Sequence, residues 1–304
     1  MESSESQIVH VMALTVENSE PQIAYGRPFT VEYSSRTTKS KNVFDNSNDV
    51  ESWRLDKTVS LTINSTYDYE IGLQWLQQAE GEHASIASFA RHTLQLMSIG
   101  APSELLLASQ AASIDEIKHA KMCYGFASIF LHQDMTPGLF DVEDSLDNLE
   151  IKDIIVSVIR EGCMEETLSA IEARFRGHLA IDLSVKAALN EISEDESKHA
   201  KLAWDTIQWI AKKHPQYQTF IQNAFENEFE KEKAFMLTKS TIMNICDDNQ
   251  KDDYLRTFGI LTSDDRRKVR QFGIQKIIKA TYELGVDHFD SIFDKIKNLD
   301  VSLF

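Results

Sequence analysis

The chain has 304 residues, of which 42% are hydrophobic and 26% charged, with a net charge of −17 and only 11 glycines and 5 prolines. That composition is globular, favours long helices over a turn-rich β fold, and argues against nucleic acid or an anionic membrane as the main partner. Cys123, Cys163 and Cys246 show no paired spacing, and neither a signal-like start nor a long apolar run is seen, so the expectation is a reducing, cytoplasmic setting with no membrane partner.

Residues 1–65 read as an N-terminal extension with short strands. Gln7 to Val16 and Val59 to Ile63 are rich in β-branched residues, and the stretch between them, Ser34 to Asp49, is polar. Residues 66–213 read as a four-helix bundle. Ser65 or Thr66 can cap a first helix over about 67–99, which Gly100 stops. Pro102 suits the first turn of a second helix, about 102–132. A loop over roughly 133–148, with Asp134, Pro137 and Gly138, is long enough to cross between two helical hairpins. The third helix is expected over about 149–178 and the fourth, capped by Asp182, over about 183–213. Residues 214–304 read as two C-terminal helices, about 216–245 and 264–297, that pack on the bundle or form a subunit contact. Ser263, Asp264 and Asp265 mark the start of the last one. The fold class is mainly α.

Two near-copies of one string sit 80 residues apart: Asp115-Glu116-Ile117-Lys118-His119 and Asp195-Glu196-Ser197-Lys198-His199. A Glu and a His three apart project from one helix face. Glu116 and His119 share a stripe with Ser109, Ala112, Ala120 and Cys123; Glu196 and His199 share theirs with Leu189, Ile192, Ala200 and Ala203. Both stripes are small or apolar and face the core. Buried carboxylates and imidazoles need partners, and a divalent metal serves several at once. The competing reading is a pair of salt-bridged helix surfaces, and a structural zinc site is a third. A dinuclear bundle also takes one Glu from each remaining helix. Glu82 shares an inward stripe with Trp75, Ala79, Ser85, Ile86 and Phe89, whereas Glu80 points elsewhere, toward the surface. On the third helix Glu166 shares a stripe with Ile155, Ile159, Cys163, Ala170 and Ala173; Glu165 and then Glu161 remain as alternatives on a more polar stripe with Glu172. His83, beside Glu82, reads as a flanking residue.

With those residues placed, the chain resembles the ferritin-like di-iron carboxylate superfamily. Its doubled Asp-Glu-x-x-His is similar to that of bacterial multicomponent monooxygenases and ribonucleotide reductase small subunits. The resemblance implies a ferritin-like four-helix bundle with a crossover loop, holding two Fe ions or a Mn/Fe pair. The implied ligands are Glu82, Glu116, His119, Glu166, Glu196 and His199, with Asp115 and Asp195 orienting His199 and His119. Tyr25-Gly26-Arg27-Pro28, Glu82-His83-Ala84-Ser85, Gly100-Ala101-Pro102 and Glu161-Gly162-Cys163 are also similar to bacterial ferritin-like domain proteins, across most of the chain. That similarity implies fold and metal, not a reaction.

Details of sequence narrow the chemistry. Radical-generating reductase subunits carry a Tyr four residues after the second-helix His; here that place holds Cys123, which also reads as a small buried apolar residue. An extra His one turn before the fourth-helix Glu, as in some N-oxygenases, is replaced by Ile192. The favoured expectation is a di-iron oxygenase or oxidase whose six ligands carry the chemistry, with Cys123, Cys163, Ile86 and Ala170 near an oxygen pocket. Its implied partners are O2, a small-molecule substrate, an electron-donor protein and a second copy of the chain. The rival is ferroxidase or peroxide-reducing iron handling; a metal-binding structural bundle is the remaining alternative. A narrow apolar tunnel would favour small-molecule oxidation, and a sealed site ferroxidase work.

Overall fold

A computed structural model describes residues 27–31, 34–42, 53, 61, 63, 65–146, 149–239 and 249–284, and over these the chain is mainly helical. The strand expected over Gln7 to Val16, most of Val59 to Ile63 and the end of the last expected helix lie outside the described residues.

Helix α1 spans Asp68–Ser98 and α2 spans Ser103–Leu131. Gly100 ends α1 with φ of 68°, and the Ala101 N–H donates back to the Leu96 carbonyl at 3.0 Å, the glycine-dependent helix stop. The start of α1 differs from expectation. Tyr67 occupies the cap position; the Ser65 hydroxyl accepts the Tyr67 N–H while the Asp68 carboxylate accepts the Ser65 N–H.

The third helix is not one regular helix. It begins as α3, Ile151–Ser157, widens into a nine-residue π segment, Val158–Glu166, and resumes as α4, Thr167–Leu179. Gly162 lets this segment approach its neighbour closely, since a Cβ there would clash with the Ala203 Cβ of the next helix. That neighbour, α5, spans Leu183–Lys213 and starts on Asp182, whose carboxylate accepts the N–H groups of Ser184 and Val185.

Helices α1 and α2 pack as one hairpin, and the α3–π–α4 rod packs on α5 as a second; the two meet along α2 and α5. A short 3₁₀ turn, Pro215–Tyr217, leads into α6, Gln218–Lys239. A helix not foreseen from sequence, α7 at Asn249–Thr257, precedes α8 at Ser263–Leu284. Thr262 rather than Ser263 caps α8, by a reciprocal exchange with Asp265. These helices complete the core: Trp204 stacks on Phe225 at 5.3 Å, and Val269, Ile274 and Ile277 are buried against the rod.

Within the polar stretch, the described residues 34–42 contribute two short strands. Strand β1, Phe29–Val31, pairs antiparallel with β2, Ser34–Arg36. Strand β3, Lys41–Asn42, pairs with β4, Met135–Thr136, in the crossover loop. The extension also docks on α1: Ser85 donates to the Arg27 carbonyl at 2.9 Å and Arg91 to the Thr30 carbonyl at 2.6 Å. Glu80 is accordingly no free surface residue, because it accepts the Ser40 N–H at 3.0 Å. Among the described residues no helix is long and apolar enough to cross a membrane.

Candidate metal centre

Glu82 on α1, Glu116 and His119 on α2, Glu166 at the end of the π segment, and Glu196 and His199 on α5 meet at one buried point, each at most 1% exposed. They form two overlapping groups able to hold a metal ion. Glu82, Glu116, His119 and Glu196 make one; Glu116, Glu166, Glu196 and His199 make the other, with the donor atoms of each within 4.8 Å of one another. Glu116 and Glu196 belong to both. The two oxygens of Glu116 divide between the histidines: Oε2 lies 3.7 Å from His119 Nδ1 and Oε1 3.0 Å from His199 Nδ1. Glu196 does the same, with Oε1 3.5 Å from His119 Nδ1 and Oε2 3.9 Å from His199 Nδ1.

The aspartate of the other repeat stands behind each imidazole, at hydrogen-bond distance for His119 and at ion-pair distance for His199. His119 Nε2 lies 3.3 Å from Asp195 Oδ2, and His199 Nε2 lies 3.7 Å from Asp115 Oδ2. Lys198 and Lys118 fix those aspartates, each at 2.6 Å. This leaves Nδ1 of both rings turned to the carboxylates. Both Nδ1 atoms, His199 Nε2, both oxygens of Glu116, Glu166 and Glu196, and Glu82 Oε2 are buried without a hydrogen-bond partner among the described residues. Buried polar atoms are rarely left so, and cations among them would satisfy all but His199 Nε2 together; the donor set fits two metal ions.

The protein alone manages this charge with protons. Burial, then the neighbouring Glu116 and Glu196, pushes the Glu82 carboxyl well above the usual range. Burial, then Glu196, does the same to Glu166. Glu116 goes the other way, to about 2, because the two imidazoles outweigh its burial. Burial disfavours the His199 cation, but the close carboxylates of Asp115 and Glu116, with the pull of Glu196, raise it to about 9. His119 is also raised, against burial, by Asp195, Glu116 and Glu196. A histidine whose folded pKa is raised contributes stability that is complete below its unfolded value near 6.5 and is lost as pH rises through the folded value. The melting temperature of the metal-free protein should therefore fall by several degrees between pH 6.5 and about 9. The metal-loaded protein, with cations in place of those protons, should hold its melting temperature over that window. Equal slopes in scanning calorimetry would show that the imidazoles carry no extra proton.

The two alternatives to Glu166 have other tasks. Glu161, expected on a polar stripe, is 2% exposed. It accepts both hydrogen bonds of Arg91 Nη2 at 2.7 Å, plus Ser157 at 3.0 Å and Ser88 at 3.3 Å, and lies 3.8 Å from Arg27 Nε. Arg27 is fully buried and lies over the Phe89 ring, whose edge meets His199 at 5.1 Å. Glu165 forms a two-pronged ion pair with Arg270 of α8, which also pairs with Glu232 of α6.

A cavity opens beside Glu82 and Glu196, of about 360 Å³ with its mouth included. Gln78 of α1, Glu172 and Arg176 of α4, Ile192 of α5 and Arg270 of α8 line it. Cys123, Cys163, Ile86 and Ala170, expected around an oxygen pocket, are not in its wall. Cys123 and Cys163 are fully buried, and Ile86 is only half-buried. His83 is packed at ring distances of 5.4 Å from Trp53 and 5.8 Å from Phe140, apart from the cluster.

Comparison with protein-family models, curated proteins and solved structures finds no match to this chain. Sequence reasoning named Arg27 and Glu172 without a role at the centre and did not single out Arg91, Gln78, Arg176 or Arg270. Gln78 carried a usable signal, since it precedes Glu82 by one helical turn on the same face. Arg270 carried none, because its place depends on how α8 folds back.

Proposed function

We propose that the chain is a di-iron, O2-dependent oxidoreductase of the ferritin-like type that oxidises a small molecule. The observation that carries this reading is the sharing of Glu116 and Glu196 between two donor groups, each completed by one Glu and one His. Sets rich in carboxylate with a single imidazole per position suit iron or manganese better than a structural zinc ion. Two bound irons would supply the electrons with which O2 is reduced. The protein's own part is positional. Glu116 and Glu196 span the two positions and hold them close together. Asp195 and Asp115 fix the ring orientations, so that Nδ1 and not Nε2 faces the cluster. Ala120, Ala200, Cys123 and Ala203, all fully buried, keep the surroundings dry.

Iron handling without an organic substrate is the second reading, and the polar wall of the cavity favours it. Anaerobic loading with Fe(II) followed by O2 separates the two. The expected result is two irons per chain that are oxidised and can be re-reduced without further iron uptake. Oxidation accompanied by mineral growth far beyond two irons per chain would replace the oxygenase reading with the iron-handling one. Failure to bind two irons would end both.

A further inference from the structure

The wall of the cavity beside Glu82 and Glu196 has hydrogen-bonding capacity of one kind left over. Gln78 is 2% exposed, and its Nε2 donates to Glu82 Oε1 at 3.0 Å. A metal-holding carboxylate only accepts, so the amide must give its N–H to Glu82 and keep its carbonyl for something else. That carbonyl oxygen, Oε1, has no hydrogen-bond partner among the described residues. Glu172, one side of the same cavity, also has a buried oxygen, Oε1, without a partner among the described residues. The cations of the wall are already committed. Arg270 divides its guanidinium between Glu165 and Glu232, and Arg176 donates to the Gly259 carbonyl at 2.6 Å and lies over the Trp75 ring at 5.0 Å. Four carboxylates, Glu82, Glu165, Glu172 and Glu196, stand against these two arginines. Two divalent ions would neutralise Glu82 and Glu196, yet the spare groups of the wall would still be acceptors. Leu168, Ala173 and Ile192 supply an apolar strip among them.

We infer that this cavity takes a small cation that donates hydrogen bonds, held by the Gln78 carbonyl and the Glu172 carboxylate within reach of Glu82 and Glu196. This rests on the dinuclear reading above and names the chemistry of what approaches it. A short alkylammonium fits both the acceptors and the apolar strip. An aquated divalent ion on its way to the centre has the same donor chemistry. A carboxylate-bearing molecule does not fit, since it would meet acceptors with acceptors.

The test uses the full chain loaded with Zn(II), which is redox-inert, with the metal content measured first. Propylammonium, 1-propanol and propionate are then titrated by calorimetry into the wild type and Glu172→Gln, and a further equivalent of Zn(II) is titrated separately. Propylammonium should bind in preference to the other two, and Glu172→Gln should weaken it about tenfold, the scale of a hydrogen bond to a charged group. If instead an additional Zn(II) binds the wild type and is lost in Glu172→Gln, the cation is a metal ion in transit. Three results overturn the inference: neither cation binds, propionate or propanol binds as well as propylammonium, or Glu172→Gln leaves both cations unaffected. Should two Zn(II) fail to bind at the outset, loading is repeated with anaerobic Fe(II), and failure of both metals ends the dinuclear reading. The same titration of the metal-free chain then still reads the cavity by the same criteria.

Discussion

On the dinuclear reading, Glu116→Ala should abolish binding at both positions, whereas Glu82→Ala or Glu166→Ala should abolish it at one. The difference follows from where the oxygens point. Glu116 directs Oε2 toward His119 and Oε1 toward His199, so its removal takes one ligand from each position. It also takes away the negative charge between two cations that would otherwise repel across a short distance. Altering a group that merely orients a ligand weakens metal binding about 10–100-fold, so deleting a ligand common to both positions should weaken each by more than ~100-fold. Glu82 and Glu166 each belong to a single group, and losing either leaves the other position with its four donors. Elemental analysis after loading and desalting gives the stoichiometry directly. Glu116 also holds the two imidazoles in the metal-free protein, so its loss should cost some stability there, and circular dichroism checks that the fold survives. An unchanged metal content in Glu116→Ala, with circular dichroism like the wild type, would show that the ions sit elsewhere.

Glu161→Ala should be the most damaging single change to stability outside the cluster. Arg91 is 7% exposed and Arg27 is fully buried, and Glu161 is the carboxylate that the two share. Removing it takes the shared counter-charge from Arg91 and Arg27 and an acceptor from Ser88 and Ser157. Stranding one partner of a buried ion pair costs about 3–5 kcal/mol, which for a chain of this size lowers the melting temperature on the order of 10 °C. Arg91 also ties β1 to α1 through the Thr30 carbonyl, so the extension should loosen with it and become the first site of limited proteolysis. A melting temperature within a degree or two of the wild type would mean that water screens these arginines in solution.

The contrast between Glu161 and Glu166 shows where sequence reading reaches and where it stops. Wherever the chain keeps the period of 3.6, stripes separate inward from outward residues; Glu82 and Glu80 were distinguished in that way, although Glu80 proved to be a docking point rather than free. The boundaries of α1, α2 and α5 were equally legible, because Gly100, Pro102 and Asp182 are strong local signals. Inside Val158–Glu166 the hydrogen bonds run to the fifth residue instead of the fourth. Glu161 and Glu166, five apart, then turn inward together, and a reading at α-helical pitch assigns one of them to solvent. Arg27 and Arg91 were hidden for a different reason: hydrophobic periodicity cannot announce a buried charge whose partner lies on another element. The cavity wall is assembled from α1, α4, α5 and α8, and no local pattern reports such an assembly. Helix α7 escaped because its sequence, Asn249–Thr257, is strongly polar and shows almost no apolar stripe, with Leu255 the buried residue.

The π segment gives the duplication a handedness of its own. In letters the two hairpins are near-repeats, and a reader of letters would draw a twofold axis through the centre. In pitch they are not: Glu82 rides on an uninterrupted α-helix, while Glu166 rides on a rod that has been wound one notch looser. The halves thus hold the same ligands on springs of different gauge. An ion on the Glu166 side would therefore be met by a π-wound backbone, and one on the Glu82 side by an α-wound backbone, so the two donor groups are not equivalent despite their near-identical letters.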